Sequence, residues 1–75
     1  MELNEFVKHF ADQFDDTDPS EISAETSFRD LDEWSSLISL SVLNMIEKKC
    51  GVNFTFDDMR NANNVQDLYD IVASK

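Results

Sequence analysis

The stretch DEWSSLISL, residues 32–40, places two adjacent serines between a tryptophan and the beginning of an apolar run. Serine is favoured immediately before a helix because its hydroxyl oxygen accepts a hydrogen bond from a free N–H group of the first turn. One such hydroxyl is enough to cap a helix. The stretch therefore predicts a helix that begins at Ser35 or Ser36, and it leaves one serine free for another role.

The sequence also marks the end of this helix. Lys48 and Lys49 come shortly before Gly51, the only glycine of the chain. Basic side chains stabilise the carboxyl end of a helix dipole, and glycine readily adopts the left-handed conformation that follows a helix. We therefore expect the helix to end at Cys50.

Three further helices flank this one. Residues 2–14 carry apolar side chains at the spacing of one helix face: Leu3, Phe6, Val7, Phe10, Ala11 and Phe14. The sequences TFDD (55–58) and NVQD (64–67) are typical of capping boxes, which predict a short helix near residues 56–61 and a last helix after it. The predicted fold class is all-α, a four-helix bundle with a long first loop over residues 15–35 and a short third helix.

Length and composition narrow the class of protein. The 75 residues are expected to form a single domain, 1–75, near the lower limit for an independent core. No apolar run is long enough to span a membrane, and the first residues lack the features of a signal peptide. Because a single cysteine cannot form an internal disulfide, we expect a cytoplasmic location.

Charge is concentrated in one segment. The chain carries a net charge of −10, and residues 12–33 hold nine acidic residues and one basic residue. Such a segment repels nucleic acid and anionic membranes, and it suits basic protein surfaces. A solvated loop without a partner is the simpler interpretation, with Phe28 and Leu31 as its anchors to the core. A nucleic-acid mimic is a third possibility, although its charge should be spread more widely.

Residues that could perform chemistry are scarce. His9 stands alone beside an apolar stripe, Cys50 fits a small core position, and no His and Cys cluster has the spacing of a zinc site. The acidic stretch after residue 15 lacks the glycine of a calcium loop, and one glycine cannot build a phosphate-binding loop. The sequence predicts neither an enzyme nor a metal site.

The wider pattern resembles a known family. TSFRDLDEWSSLISLSVLNMIEKKCGVNF (26–54), followed by NVQDLYDIV (64–72), resembles the acyl carrier protein family, which includes peptidyl and other phosphopantetheine carriers. The order and spacing of these motifs match over the whole chain. The resemblance implies a bundle of the acyl-carrier type. It also implies a 4′-phosphopantetheine cofactor from coenzyme A and a role in lipid or secondary-metabolite biosynthesis, with cargo held as a thioester.

Carried over to this chain, the resemblance identifies Ser36, which precedes Leu37, as the phosphopantetheine attachment site. Ser35 occupies a position where the family usually has aspartate, which helps to present the serine to the transferase and its Mg²⁺. Ser35 retains the capping role, and we expect Asp32, together with Glu33, to replace part of the missing charge. The alternative is a site that has decayed, which would leave an unmodified carrier-like domain that only binds proteins.

The partners that the resemblance implies are a phosphopantetheinyl transferase, an acyl- or aminoacyl-activating enzyme, and downstream acyltransferases or synthases, with the carrier as a monomer. The family usually presents an acidic second helix, whereas residues 36–49 sum to +1 here. A second apolar run on this helix is either a wider core contact or a hydrophobic docking face. The expected partner-recognition residues are Leu37, Ile38, Ser41, Met45 and Lys48.

Overall fold

The structure, a computed structural model, describes residues 1–75 and contains four α-helices and no strand. The helices are α1 (Leu3–Ala11), α2 (Ser36–Cys50), α3 (Phe56–Arg60) and α4 (Val65–Ala73). Two short 3₁₀ turns, Pro19–Glu21 and Phe28–Asp30, lie in the long loop between α1 and α2. The predicted all-α fold with a short third helix is confirmed. None of the four helices combines the length and the apolar character needed to cross a bilayer.

Helix α1 ends earlier than the sequence pattern predicts. The apolar stripe continues to Phe14, but the regular helix stops at Ala11. The N–H groups of Gln13 and Phe14 donate to the carbonyl groups three residues earlier, at 3.1 Å each, so the chain tightens into a turn there. Phe14 is still buried, which explains why the periodic pattern extends past the helix.

The signals at the helix ends are confirmed. The Ser35 hydroxyl accepts a hydrogen bond from the N–H of Ile38, and Gly51 follows α2 in the left-handed conformation with φ of 68°. Helices α3 and α4 each begin with a complete capping box, Thr55 with Asp58 and Asn64 with Asp67. Local hydrogen bonds therefore fix where three of the four helices begin.

Sixteen buried apolar residues form one continuous core between the helices and the first loop. At the end of the bundle near Ser35, four rings pack together: Phe10, Phe14, Phe28 and Trp34. We call this group the aromatic cluster. Its ring centroids lie 4.8–6.3 Å apart, the separation at which aromatic side chains attract one another.

The first loop is held against the helices in spite of its irregular backbone. Phe28 is fully buried and Leu31 packs partly buried against the core, as predicted. Arg29 Nη2 donates to the carbonyl groups of residues 59 and 60, at 2.7 and 3.1 Å, at the end of α3. The N–H groups of residues 65 and 66, at the start of α4, donate to the carbonyl groups of residues 26 and 24. These bonds link the loop to both α3 and α4.

Candidate functional site

The two serines at the start of α2 differ in what they contact. Ser35 has an extended backbone, and its hydroxyl oxygen lies 3.3 Å from the N–H of Ile38. Its carbonyl also accepts a hydrogen bond from the Ser39 hydroxyl at 3.0 Å. Ser36 is the first residue of α2, its side chain is exposed, and its hydroxyl makes no hydrogen bond within the chain. The first serine therefore has a structural task, and the second has a free hydroxyl.

The surroundings of Ser36 favour a negatively charged group. The N–H groups of Ser36 and Leu37 find no acceptor within the chain, because the first turn of a helix has no preceding carbonyl groups to bond. Together with the positive end of the α2 dipole, they would stabilise a phosphate ester on the Ser36 hydroxyl. The residues at this position thus fit covalent attachment of a phosphate-linked arm.

Three residues before Ser36, the Glu33 carboxylate is surrounded by donors. It accepts hydrogen bonds from the N–H groups of residues 15, 16 and 17, at 2.8–3.0 Å, and from the Thr17 hydroxyl at 2.8 Å. We call these donors the Glu33 cradle. Partial loss of water raises the pKa of Glu33, but the hydrogen bonds from Thr17 and from the N–H groups together outweigh this effect and lower it. Glu33 therefore joins the start of the loop to its end.

This arrangement changes the expectation for the missing aspartate. Glu33 directs its carboxylate to the loop backbone, so it is not free to replace the charge that Ser35 lacks. Asp32 is exposed and its carboxylate makes no hydrogen bond within the chain. Of the two acidic residues considered for this role, only Asp32 has a carboxylate that an approaching enzyme could use.

Acidic side chains line a groove of about 460 Å³ on the surface of the first loop. Its carboxylates are those of Asp16, Glu21, Asp30, Asp32 and Glu33. No group of three or more His, Cys, Asp or Glu side chains is arranged so that it could hold a metal ion. The groove thus gives this surface of the first loop a strong negative charge without forming a metal site.

The structure separates the residues that were predicted for partner recognition into two sets. Ile38 and Met45 are only 9% and 6% exposed and belong to the core, as does Val42 between them. Their burial corrects the expectation that these two residues present an apolar docking face. The physical reason is that α2 packs against α1 and contributes residues from several of its sides to the single core, so the buried part of this helix is wide.

Other residues of α2 are available on the surface. Leu37 is 73% exposed, and Leu40, one turn later, is 47% exposed. Lys48 is exposed and Ser41 is partly exposed. The accessible apolar surface of α2 therefore lies beside Ser36, at the beginning of the helix.

A second groove lies between the start of α2 and α3. Its lining residues are Arg29, Trp34, Ser39, Phe56, Met59 and Arg60, and its volume is about 270 Å³. We call it the arginine groove, because it contains both arginines of the chain. Ser39 connects it to the attachment region, since its hydroxyl bonds to the Ser35 carbonyl.

The two side chains considered for catalysis, those of Cys50 and His9, lie partly buried on α2 and α1. Cys50 is partly buried at the end of α2, and this burial raises the pKa of its thiol, so the less reactive neutral form is favoured. His9 lies partly buried on α1. Neither residue belongs to a group of side chains that could activate a substrate.

The chain is thus a small four-helix bundle whose second helix begins with a capping residue and then an exposed, unbonded serine. The sequence profile described as the phosphopantetheine attachment site matches residues 4–72. The chain belongs to this family. Its members are non-catalytic carriers with covalently attached 4′-phosphopantetheine, and they interact with phosphopantetheinyl transferases and biosynthetic enzymes. Comparison with curated proteins gives no match, and comparison with solved structures gives none either.

Two contacts of the site region had no signal in the sequence. The Glu33 cradle joins residues that are 16 to 18 positions apart, and the Arg29 contacts to α3 join residues 30 and 31 positions apart. Neither pairing follows from a local motif. Both depend on the path that the irregular loop takes over the helices.

Proposed function

We propose that this carrier domain holds an acyl or aminoacyl group as a thioester on 4′-phosphopantetheine attached to Ser36, and presents it to partner enzymes. The observation that supports this assignment is the difference between the two serines. Ser35 is occupied by capping α2, while the Ser36 hydroxyl is exposed and unbonded beside free N–H groups.

The attachment step uses the Ser36 hydroxyl as a nucleophile. Its oxygen attacks the phosphorus atom that joins pantetheine to the nucleotide in coenzyme A. A P–O bond forms at Ser36, the bond to adenosine 3′,5′-bisphosphate breaks, and the serine proton passes to a base of the transferase. The free N–H groups at the start of α2 then stabilise the phosphodiester. The attached group supplies a thiol on a flexible arm, which raises the effective concentration of the cargo at each partner site.

Ser35 and Asp32 help to present Ser36 in this proposal. By capping α2, Ser35 fixes the backbone on which Ser36 begins the helix. Asp32 offers the free carboxylate nearest to this turn in sequence, and it would contact the Mg²⁺ or basic groups of the transferase. We expect slower loading than in a carrier with aspartate at position 35, because the charge lies farther from the serine.

Partner recognition is proposed to combine apolar and charged contacts. Leu37 is the most exposed large apolar side chain of the chain, and Ser41 and Lys48 lie along the same side of α2. The acidic residues of the loop, 12–33, would face basic groups of the partner. Suitable partners are a phosphopantetheinyl transferase, an acyl- or aminoacyl-activating enzyme, and the acyltransferases or synthases that use its product.

The same proposal covers domain organisation and location. Residues 1–75 act as one monomeric carrier domain, in support of which the helices and the loop share a single core. A cytoplasmic location agrees with the free thiol of Cys50, which needs no oxidising compartment. The pathway is proposed to be lipid or secondary-metabolite biosynthesis, as in other carriers of this type.

The second candidate is an unmodified, carrier-like domain that only binds proteins. One observation favours it, namely that Ser35 brings no charge to the position next to Ser36. In that case both serines would serve only the start of α2, and partners would bind the same surface without an arm.

The test is intact mass spectrometry after incubation with coenzyme A, Mg²⁺ and a broad-specificity phosphopantetheinyl transferase. Wild type, Ser36→Ala and Ser35→Ala are compared. We expect a gain of one phosphopantetheine in wild type and Ser35→Ala, and no gain in Ser36→Ala. Absence of a gain in wild type with several transferases, including one from the host organism, would favour the unmodified domain.

A further inference from the structure

The two arginines of the chain lie in one groove that begins close to Ser36. Arg29 and Arg60 both line the arginine groove, although the chain has only six basic residues against sixteen acidic ones. Trp34 and Ser39 line the same groove, two residues before Ser36 and three residues after it. The groove is therefore a local concentration of positive charge beside the proposed attachment point.

Arg29 has a fixed position and no acidic partner. Its Nη2 donates to the carbonyl groups of residues 59 and 60, and its guanidinium carbon lies 4.9 Å from the centroid of the Phe28 ring. These hydrogen bonds use only Nη2, so the N–H groups of Nε and Nη1 remain unbonded within the chain. Arg29 belongs to neither of the two ion pairs of the chain. Its positive charge is thus held at the groove without being neutralised.

Arg60 adds a second guanidinium that is easier to move. It pairs with Asp57 at 3.2 Å, and the two side chains are 76% and 83% exposed. Such exposed ion pairs contribute little stability, so another carboxylate can take the place of Asp57 at low cost. Trp34, Phe56 and Met59 give the same groove an apolar surface, which suits the methylene groups of a ligand.

The first loop carries the opposite charge. The groove on its surface is lined by the carboxylates of Asp16, Glu21, Asp30, Asp32 and Glu33. An anion on an arm at Ser36 is repelled by this surface and attracted by the arginine groove. The arm is about as long as four or five residues, and a flexible chain of that length has an end-to-end distance of roughly 10–13 Å. Its end can therefore fold back to a groove that begins beside Ser36.

We propose that the arginine groove binds a free carboxylate of the cargo, and that this carrier serves acyl groups of dicarboxylic acids, attached to the arm through one end. This assignment rests on the proposed attachment at Ser36. Guanidinium and carboxylate groups form charge-assisted hydrogen bonds, and the arm keeps the cargo at a high effective concentration near the groove. The phosphate of the arm has its own donors, the free N–H groups at the start of α2, so it leaves the arginines available.

The experiment compares two forms of the chain that differ in one carboxylate. A broad-specificity transferase loads Ser36 of the ¹⁵N-labelled chain from coenzyme A, or from analogues that carry a succinyl or a butyryl group through a stable amide. Intact mass confirms each product. Because the chain has only two arginines, nuclear magnetic resonance at neutral pH shows one Nε–H signal for each. We expect both signals to move in the succinyl form and to stay in place in the butyryl form, where a methyl group replaces the carboxylate.

The pKa of the succinyl carboxyl group gives a second readout. With a ¹³C label it is measured on the chain and on the same succinyl amide of free pantetheine. Two nearby guanidinium groups should lower this pKa by about 1, whereas the net charge of −10 by itself would raise it. Arg60→Gln should remove about half of the decrease. Lys49→Gln, which removes a positive charge from an exposed position outside the groove, is the matched control and should leave the pKa unchanged.

Three results would overturn the proposal. The arginine signals could be the same in the succinyl and butyryl forms, or Arg60→Gln and Lys49→Gln could change the pKa equally. The signals could also move when the arm alone is attached and not move further with succinyl, which would assign the groove to the phosphate of the arm. If intact mass shows no loading of Ser36, the proposed attachment fails and this proposal fails with it. Loading without any response of the arginines overturns the cargo assignment alone.

Discussion

The first loop, residues 12–35, and helix α2, which follows it directly, are stabilised by different kinds of contact. The loop carries nine of the sixteen acidic residues and depends on a few anchors: Phe28 in the core, the Glu33 cradle, and hydrogen bonds to α3 and α4. Helix α2 contains one acidic residue and six buried ones, distributed along its length.

Because of this difference, most of the acidic side chains and the buried side chains of α2 lie in different segments of the chain. Most acidic side chains of the loop are exposed, so they can interact with partners or vary without disturbing the packing. The inner face of α2 cannot vary in this way, because each of its side chains fills space in the core. Four predictions test the contrast, in order of decreasing effect.

The largest effect is expected inside α2. Met45→Glu places a carboxylate at a core position that is 6% exposed, where burial strongly disfavours the charge, so we expect loss of cooperative folding. The neighbouring substitution Asn44→Glu adds the same charge at an exposed position and should leave the melting temperature nearly unchanged. Thermal unfolding followed by far-ultraviolet circular dichroism measures both. A folded Met45→Glu chain would mean that this side of α2 is a surface after all.

The second prediction concerns the hydrophobic anchor of the loop. Phe28→Ala removes a fully buried ring, and we expect a loss of about 3–5 kcal/mol in the free energy of unfolding. Urea denaturation gives this value. Glu25→Ala, at an exposed position of the same loop, serves as the comparison and should change little. If Phe28→Ala were as mild as Glu25→Ala, the loop would be dispensable for the fold.

A smaller, pH-dependent effect is expected at the Glu33 cradle. The pKa of Glu33 in the folded chain lies below its ordinary value of 4.5, so ionised Glu33 stabilises the fold above that pH. This contribution is lost as the pH falls through the folded-state value. Glu33→Gln should therefore lower the melting temperature near neutral pH, and the difference from wild type should shrink as the pH falls below 4.5.

Melting curves of wild type and Glu33→Gln across this range measure the effect. Glu25→Gln, whose side chain makes no hydrogen bond in the structure, is the matched variant and should follow wild type at every pH. A constant difference between wild type and Glu33→Gln at all pH values would show that the charge of Glu33 is not what the cradle binds.

The smallest effect is expected for the exposed carboxylates of the loop. The Asp16 side chain is exposed and forms no hydrogen bond, although its N–H belongs to the Glu33 cradle. Asp16→Asn should change the free energy of unfolding by less than about 0.5 kcal/mol. The rate at which a phosphopantetheinyl transferase loads the chain should fall, and this decrease should be smaller at high salt. A clear loss of stability would mean that an exposed carboxylate of the loop contributes to the fold, which would contradict the contrast between the loop and α2.

Local rules predicted the helices well because each helix end is specified by a few neighbouring residues. Ser35, Gly51 and the two capping boxes lie within one turn of the structure that they determine. The end of α1 was predicted three residues too late, since periodicity reports which side chains are buried. Phe14 satisfies the pattern from a 3₁₀-type turn rather than from the helix.

The candidate site was predictable only in part. The local sequence predicted that one of the two serines caps α2, and the family resemblance assigned this role to Ser35 and left the hydroxyl of Ser36 free. The burial of Ile38 and Met45 does not, because an apolar pattern counts hydrophobic residues without showing how many neighbours cover them. The Glu33 cradle could not be predicted from the sequence either, because its hydrogen bonds form only when the whole loop has folded.

The hydrogen bonds between the loop and the start of α4 have a consequence during protein synthesis. Residues 24 and 26 obtain their partners only from residues 65 and 66, which the ribosome adds about forty positions later. The segment that leads to Ser36 therefore lacks these restraints until the start of α4 has been synthesised and can fold against it. A transferase that recognises the folded loop would encounter its substrate only after translation has passed α4, which makes loading of the arm a late event in the life of the chain.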